Sequence, residues 1–165
     1  QDVTAQFMVN IININRAVSA YSSDNKLIGL AGYRFKNEMM INIKFCLFKK
    51  QFGFVKGLIK FIPAKILYNR KPDNKLQILM DGIAVHKDYR GQGIGKQLFG
   101  GLESFAVKNR MQSIKLDVID ENPRAKKLYK RIGFIEVKHY KIPVFFRRLI
   151  NVSGATTMIK NVKQK

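Results

Sequence analysis

The hydrophobic pattern of the first half of the chain predicts two strands followed by a helical segment. RAVSAYSS and KLIGLAGYRF contain Val, Ile, Tyr and Phe, and Asp24-Asn25 between them is typical of a hairpin turn. Residues 41–48 fit either a third strand or the start of a helix. From residue 51 to residue 69, apolar residues recur near the helical period with Lys residues among them. Pro63 is expected to kink or split this helix.

The second half of the pattern predicts strands that alternate with helices. LQILMDGIAVH, at 76–86, is apolar enough for a central strand, and a glycine-rich loop follows it. Residues 94–110 place apolar side chains on one helical face. The remaining predicted elements are a strand at 113–120, a helix from Pro123 to Gly133, and strands at 134–142 and 153–162. This order predicts a mixed α/β fold, and residues 1–165 are expected to form a single domain because no linker divides them.

The charge balance adds an expectation about partners. Lys and Arg number 31 against 11 Asp and Glu, which gives a net charge of +20 and a pI of about 10.2. Such a surface favours a phosphorylated cofactor, nucleic acid or an anionic membrane, although solubilising lysines alone give the same balance. Cys46 is the only cysteine, which excludes an internal disulfide and fits a cytoplasmic protein. The polar start shows no signal-peptide pattern, and no apolar run approaches the roughly 18 residues that span a bilayer.

The segment HKDYRGQGIGKQLF places three glycines between Arg90 and Lys96, immediately before a helix. Free backbone N–H groups and the helix dipole attract anions at such a position, and glycine lets the anion approach the backbone. The loop is therefore a candidate phosphate or pyrophosphate site; a turn that only joins strand to helix is the alternative. The nucleotide-triphosphate loop is one residue longer and needs a hydroxyl where Gln97 stands, and the dinucleotide fingerprint has a different glycine spacing.

R-G-Q-G-I-G fits the pattern Q/R-x-x-G-x-G/A, and N-P-R-A-K-K-L-Y-K-R-I-G-F follows at residues 122–134. With both motifs at this distance, the chain resembles the GCN5-related N-acetyltransferase (GNAT) superfamily. The resemblance covers residues 76–140 and, more weakly, the hairpin before them and the strand after them. It implies an acyl-CoA N-acyltransferase-like fold with a predominantly antiparallel sheet flanked by helices. It also implies acetyl transfer from acetyl-CoA to a primary amine by direct attack in a ternary complex.

In this superfamily the glycine loop binds the pyrophosphate of acetyl-CoA, and free backbone groups of the preceding strand bind the pantetheine arm. The resemblance assigns the pyrophosphate to Arg90, Gly91, Gln92, Gly93, Ile94, Gly95 and Lys96. It assigns the arm to Ile83, Ala84 and Val85, with the amide near Val85 as donor to the thioester oxygen; a plain core strand is the alternative. Asn122 matches a residue that contacts the arm, and it also suits a turn cap before Pro123.

The same resemblance implies the catalytic roles. Tyr129 matches a tyrosine whose hydroxyl protonates the departing thiolate, with a packed helical tyrosine as the alternative. Asp81, Asp117 or an ordered water would take the proton of the attacking amine; Asp81 is preferred because position 117 carries Asp rather than the longer Glu. His86 is a further candidate, although histidine at a strand end is more often structural. The two histidines show no paired spacing, so no metal is assigned.

The N-terminal region departs from the superfamily pattern, which begins with a strand and two helices before the hairpin. Only about fifteen residues precede the hairpin here, so we expect this region to be shortened, truncated or rebuilt by later residues. The basic, Phe-rich segment 45–68 fits a helix packed on the sheet, or alternatively a helix that faces a membrane or a partner. With the C-terminal tail KIPVFFRRLI, it would form one basic, apolar surface.

Two classes of function follow from the sequence. The first is acetyl transfer to a protein N-terminus, a lysine, a polyamine or an aminoglycoside, of which the positive surface disfavours the two cationic small molecules. The second is a non-catalytic module that keeps the fold and binds nucleic acid or an anionic membrane. The presence of both Tyr129 and Asn122 favours the enzyme.

Overall fold

The computed structural model describes residues 12–36, 38–41, 43–68, 70–144, 147 and 151–164. Within these residues the chain forms one sheet of seven strands and four α-helices. The strands are β1 (Ala17–Tyr21), β2 (Leu27–Phe35), β3 (Glu38–Met39), β4 (Gln77–Val85), β5 (Ser113–Ile119), β6 (Ile135–Lys141) and β7 (Gly154–Asn161). The helices are α1 (Phe45–Phe52), α2 (Phe54–Tyr68), α3 (Ile94–Lys108) and α4 (Pro123–Arg131).

The sheet has the strand order β1-β2-β4-β5-β7-β6, and β3 pairs with β2 off this path. β4 and β5 are parallel, whereas the other strand pairs of the described residues are antiparallel. The predicted mixed fold with a predominantly antiparallel sheet is confirmed. β4 lies centrally, and its first four residues are buried, as expected for a strand covered on both faces.

The core lies where α3 packs on β2, β4 and β5. Leu102 and Ala106, one turn apart on α3, are inaccessible to solvent, as are Ile78 of β4 and Ile114 of β5. The helical period brings residues i and i+4 to the same face, so the apolar stripe predicted for α3 faces the sheet. This packing fixes the direction in which α3 leaves the glycine loop.

The predicted β1–β2 hairpin is confirmed, with its turn where Asp24-Asn25 predicted it. The Ser22 amide donates to the Lys26 carbonyl at 2.9 Å. Asn25 has φ 62°, in the left-handed region that Asn tolerates better than most residues. The turn sets the register in which Val18 pairs with Ala31.

The segment between β3 and β4 folds as a helical hairpin. Residues 41–48 are divided between an isolated bridge at Ile41 and the start of α1 at Phe45. Pro63 was expected to kink or split the long helix. The helix does not split there, because α2 continues past this position and the break lies at Gly53; a kink at Pro63 stays a prediction. Gly53 has φ 76°, and its amide donates to the Lys49 carbonyl at 2.9 Å, which ends α1.

Several predictions concern parts of the chain that the structure does not describe. Residues 1–11 and most of the segment 145–150 lie outside the described residues, so the single domain and the basic surface that includes the C-terminal tail stay predictions. The cytoplasmic location also stays a prediction; Cys46 is exposed as a free thiol. No helix in the described ranges is both long enough and apolar enough to cross a bilayer.

Candidate active site

The sheet opens between its two parallel strands. β4 and β5 pair only from Gln77↔Ser113 to Leu79↔Lys115. On the other side of β4, the register with β2 shifts between Gly82 and Met80, so that Asp81 is the extra residue of a bulge. The edge of β4 that faces β5 therefore has no strand partner after Leu79 in the described part of the sheet. Backbone polar groups along this edge are available to an extended ligand.

The glycine loop joins the end of β4 to α3 through a short 3-10 helix, Lys87–Tyr89. Gly93 precedes the first helical residue with φ 79° and ψ −1°, a left-handed conformation that residues with a Cβ adopt at a cost. A Cβ built at Gly93 would meet no heavy atom within 4 Å. The loop therefore exposes backbone at the N-terminus of α3, as expected for an anion site.

A cavity of about 500 Å³ lies against this loop. Its lining consists of Val85, Tyr89, Arg90, Gly91, Gly93, Ile94, Gly95, Lys96, Leu128, Arg131 and Ile132. Arg90 Nε donates to the Val85 carbonyl at 3.1 Å, which ties the loop to the end of β4. Arg131 adds a third basic residue to Arg90 and Lys96. The cavity thus combines positive charge with the apolar side chains of Leu128 and Ile132.

The predicted coenzyme residues divide into two groups in the structure. Val85 and most of the loop line the cavity, whereas Ile83, Ala84, Gln92 and Asn122 do not. The Gln92 side chain donates to the Asp88 carbonyl at 3.2 Å. Asn122 Oδ1 accepts the Ala125 amide at 3.1 Å and caps α4, the structural alternative that its position before Pro123 indicated.

The α4 side of the cavity was missed from the sequence. Leu128, Arg131 and Ile132 lie three and four residues apart, so they share one face of α4 and its end. A Cβ built at Gly95 would lie 3.5 Å from Leu128 Cδ2, so the start of α3 and α4 approach closely at this point. The spacing was visible in the sequence, but only the packing of α3 against α4 shows that this face lines the cavity.

A second cavity, of about 250 Å³, lies where β4 and β5 diverge. Its lining consists of Arg70, Asp81, Asp117, Ile119, Tyr140, Val152 and Ala155. Arg70 Nη1 lies 3.3 Å from Asp117 Oδ2, and Arg70 Nη2 lies 4.0 Å from Asp81 Oδ1. The structure thus brings together the two predicted carboxylates with an arginine that the sequence did not single out.

Asp81 is the most buried ionisable group of this cavity, since its side chain is only 1% exposed. Its Oδ2 accepts the Met40 amide at 3.2 Å, and its Oδ1 lies 3.7 Å from Arg34 Nη2. Oδ1 has no hydrogen-bond partner among the described residues. Burial raises the pKa of Asp81, while the positive charges of Arg34 and Arg70 oppose this shift.

Asp117 differs from Asp81 in that both of its carboxylate oxygens are engaged. Thr157 Oγ1 donates to Oδ1 at 2.5 Å, and Arg70 holds Oδ2. The neighbouring Tyr140 has a raised pKa because of its burial and the negative charge of Asp117. Asp117 is therefore held in place by neutral and positive donors.

Tyr129 is buried, with 5% of its surface exposed, and its ring centroid lies 5.7 Å from that of Phe134. Burial raises its pKa to about 12, and the charge of Arg70 opposes this shift. The hydroxyl therefore keeps its proton at neutral pH. Tyr129 also follows Leu128 of the first cavity directly on α4.

His86 lies outside both cavities and is exposed, with Nδ1 3.6 Å from Asp88 Oδ2. The structural role expected of a histidine at a strand end stays a prediction. Within the ranges that the structure describes, no three His, Cys, Asp or Glu side chains come together as metal ligands.

Known proteins resemble this chain in sequence and in fold. Thialysine N-epsilon-acetyltransferase from Bos taurus is 38% identical over 56 residues, which cover 34% of this chain and 33% of that protein. The match thus spans about a third of this curated relative. The ribosomal-protein-S18-alanine N-acetyltransferase from Escherichia coli superposes with a TM-score of 0.56 at 17% identity, covering 98% of this chain and 77% of that one. A protein from Bacillus anthracis, solved in complex with acetyl coenzyme A, has a TM-score of 0.59 at 18% identity, covering 94% and 68%.

The family comparison agrees with the geometry of the glycine loop and the diverging strands. The sequence profile described as the Acetyltransferase (GNAT) family matches residues 11–134. This range contains β1 to β5, the glycine loop, α3 and α4, and therefore covers both the loop cavity and the two carboxylates. The chain belongs to the acetyltransferase (GNAT) family.

Proposed function

We propose that this protein is an N-acetyltransferase that moves an acetyl group from acetyl-CoA to a primary amine by direct attack in a ternary complex. The observation that carries the proposal is that one strand, β4, leads from the loop cavity at Val85 to the charged cavity at Asp81. Val85 lies four positions after Asp81 on this extended strand, a distance of roughly 13 Å. An extended ligand along the unpaired edge of β4 would connect the two cavities.

The loop cavity fits a coenzyme that carries a pyrophosphate. Open space lies at the Cβ positions of Gly91 and Gly93, and the N-terminus of α3 presents free amides. Arg90, Lys96 and Arg131 supply positive charge around them. When bound, the coenzyme supplies an activated acyl thioester. Val85, at the inner end of the loop cavity, is positioned to orient the thioester through its backbone.

We assign the general base to Asp81 rather than to Asp117. Asp81 lines the charged cavity and its Oδ1 atom has no hydrogen bond from the described residues, whereas Asp117 is held through both oxygens. A raised pKa also makes a carboxylate a better proton acceptor, because a general base works best when its pKa approaches the working pH. Asp117 then serves to position Arg70.

The charges of the second cavity favour one class of acceptor. Its two carboxylates are matched by Arg70 and by Arg34, which contacts Asp81. A polyamine or an aminoglycoside would need an excess of negative charge to bind, and this cavity does not supply one. We therefore propose a protein N-terminus or a lysine side chain, which brings a single amine, as the acceptor.

Tyr129 is proposed to stabilise the departing sulfur. Its pKa of about 12 keeps the proton on the hydroxyl, so the group enters the reaction as a hydrogen-bond donor. A cysteine thiol has a reference pKa of about 8.5, so complete proton transfer from Tyr129 to a thiolate is uphill even with the charge of Arg70 nearby. A donated hydrogen bond stabilises the developing negative charge without complete transfer.

Replacing Tyr129 with Phe is expected to lower kcat by about a hundredfold and to leave the dissociation constant of acetyl-CoA unchanged. The ring and its packing on Phe134 remain, and only the hydroxyl is lost. Steady-state kinetics and calorimetric titration of the same preparation measure the two quantities. Tyr21→Phe, on the exposed end of β1, is the matched control. Unchanged turnover in Tyr129→Phe would reject this role.

Replacing Gly93 with Ala is expected to weaken acetyl-CoA binding by about tenfold, because the left-handed backbone disfavours a Cβ at a residue that lines the loop cavity. Gly100→Ala is the matched control. Gly100 is exposed within α3, a Cβ there meets no heavy atom within 4 Å, and alanine favours the helix by about 1 kcal/mol. Titration calorimetry should show weakened binding in Gly93→Ala alone; equal affinity in both variants would contradict an anion site at the loop.

The proposed function is tested first by titrating the protein with acetyl-CoA, with ATP and NAD as controls. Binding of acetyl-CoA alone, followed by acetylation of a peptide N-terminus or lysine, supports the enzyme. Coenzyme binding without turnover on any amine, together with salt-sensitive binding to an anionic macromolecule, would favour the non-catalytic module instead. ATP binding that depends on Mg²⁺ would contradict both.

A further inference from the structure

The helix α2 carries a continuous row of exposed apolar side chains. This apolar stripe consists of Phe54, Val55, Leu58, Ile59 and Ile62. The spacing of one, four, five and eight residues from Phe54 places all five on one face of the helix. Phe54 and Val55 are 60% and 67% exposed. Single exposed apolar residues are ordinary on protein surfaces, but a continuous patch marks an interaction site.

Most of the apolar stripe lies beside the face of α2 that packs against the neighbouring helix α1, not on it. Gly57 is buried, and a Cβ built there would lie 2.8 Å from the Phe48 carbonyl oxygen, so the two helices cross at Gly57. The ring centroid of Phe61 lies 5.3 Å from that of Phe45 and 5.6 Å from that of Phe48. Phe54, at the edge of the apolar stripe, also contacts α1, since its ring centroid lies 5.8 Å from that of Phe45. The helical period places the other four members, Val55, Leu58, Ile59 and Ile62, on the neighbouring face of α2, away from Gly57 and Phe61.

Lysines surround the apolar stripe, and no acidic residue occurs between Glu38 and Asp73 in the sequence. The exposed lysines of the hairpin are Lys49, Lys50, Lys56, Lys60 and Lys65. Lys49 Nζ lies 5.9 Å from the centre of the Phe54 ring, and Lys60 Nζ lies 5.0 Å from that of Phe52. Long side chains that lie along aromatic rings bring their ammonium groups to the border of an apolar surface.

We propose that the α1–α2 hairpin docks this protein on the surface of an anionic lipid bilayer. The apolar stripe enters the interface between head groups and acyl chains, and the lysines contact anionic head groups. The 15-residue α2 lies along the surface, and none of the helices described here meets the requirements for crossing a bilayer. Binding of this kind needs both the apolar stripe and the lysines that surround it.

Charge complementarity selects the lipid surface over the other occupants. A second copy of the chain would bring two lysine-bordered faces together in a protein of net charge +20. Nucleic acid would satisfy the lysines through its phosphates but would leave the apolar stripe in water. An anionic bilayer offers negative charge at the surface and an apolar layer directly beneath it.

The proposal is tested by co-sedimentation of the full chain with vesicles of phosphatidylcholine alone or with about 30% phosphatidylserine. We expect sedimentation with the anionic vesicles only, and a weaker association as NaCl rises from about 0.05 M to about 0.5 M. The double variant Val55→Gln/Ile59→Gln should lower the affinity by about tenfold, because it removes apolar surface without changing charge. Lys56→Gln/Lys60→Gln should lower it by a similar factor and reduce the salt dependence.

Matched controls carry the same changes elsewhere on the surface. Ile135→Gln/Val137→Gln replaces two exposed apolar residues of β6, and Lys108→Gln/Lys163→Gln removes two exposed positive charges. Both control variants should bind vesicles like the unchanged protein, and circular dichroism should show the same secondary structure for all four.

Four results would overturn the proposal. The first is no binding to anionic vesicles. The second is equal binding by Val55→Gln/Ile59→Gln and the unchanged protein, which would mean that net charge alone acts. The third is binding to RNA or DNA with no binding to vesicles. The fourth is a dimer in analytical ultracentrifugation that only the apolar variant dissociates, which would assign the apolar stripe to a second copy. None of these readouts depends on acetyl transfer, so the proposal and the enzymatic function are tested separately.

Discussion

Replacing Asp81 with Asn should lower kcat by about two to four orders of magnitude, the range that a positioned general base contributes. Asparagine has nearly the same shape, and its side-chain oxygen is able to keep the hydrogen bond from the Met40 amide. The change removes the proposed proton acceptor from a residue that lines the charged cavity. Steady-state kinetics with a peptide acceptor measure the effect, and Asp24→Asn in the exposed β1–β2 turn is the control.

The pH profile distinguishes a base from a merely structural carboxylate. Burial raises the pKa of Asp81, so its carboxyl is protonated and inactive at the acidic end of the profile and becomes active as the pH rises. The wild-type rate should therefore fall on acidification at a pH above the ordinary aspartate value of 3.8. Asp81→Asn should lose this acidic limb. A slow variant that keeps the same limb would show that another group, or the acceptor amine itself, titrates there.

Replacing Arg70 with Met should lower the free energy of unfolding at pH 7 by up to about 3–5 kcal/mol, because it removes the cation shared by Asp81 and Asp117. The remaining contacts, Arg34 with Asp81 and Thr157 with Asp117, keep the loss below the full cost of an unpaired buried charge. Arg70 contacts both Asp81 and Asp117. Urea denaturation measures the change. Arg16→Met is the contrast, since Arg16 pairs with the exposed Glu38 and a surface pair contributes about 0–1 kcal/mol. An equal decrease in the free energy of unfolding in the two variants would contradict a stabilising role for Arg70 beyond that of a surface ion pair.

The loss in Arg70→Met should shrink on acidification. The charge of Arg70 lowers the pKa of Asp81, so removing it moves that pKa further upward from its already raised value. The penalty is fully present above the pKa that Asp81 has in the folded variant. It decreases as the pH falls through this value, because protonation removes the negative charge that Arg70 no longer neutralises. Denaturation curves at neutral and acidic pH measure this difference, and a loss that is independent of pH would assign it to packing.

The elements that sequence predicted well are those with strong local signals. The glycines between Arg90 and Lys96 placed the start of α3, and Asn122-Pro123 placed the start of α4. The error in the helical segment has a local reason as well. From the sequence, the helix is expected to change direction or end at Pro63, whereas the chain turns at Gly53, where a residue with a positive φ ends α1. Proline removes one backbone hydrogen bond from a helix, and α2 continues in spite of this loss. At Gly53 the backbone has a positive φ, which residues with a Cβ adopt only at a cost.

The charged cavity shows what the sequence did not reveal. Arg70 stands in a loop, RKPDNK, that was correctly predicted but had no local mark of function. Its carboxylate partners lie on two different strands, and only the parallel pairing of β4 with β5 brings them together. The family resemblance points to Asp81 and Asp117, but their different hydrogen-bond partners, the Met40 backbone amide and the Thr157 hydroxyl, become known only from the structure. Such contacts between distant residues leave no periodic pattern.

β2 and β4 are antiparallel neighbours, which a two-residue turn is able to connect, yet residues 36–76 join them. Near its two ends this connection supplies Met40 and Arg70, both of which hold Asp81. The loop cavity, by contrast, draws its lining from residues 85–132. Of the seven lining residues of the charged cavity, Arg70 comes from this connection, and the others lie on β4 or later in the chain. Exchange of this one insertion would therefore alter the contacts of Asp81, while the loop cavity and the pairing of β2 with β4 stay intact.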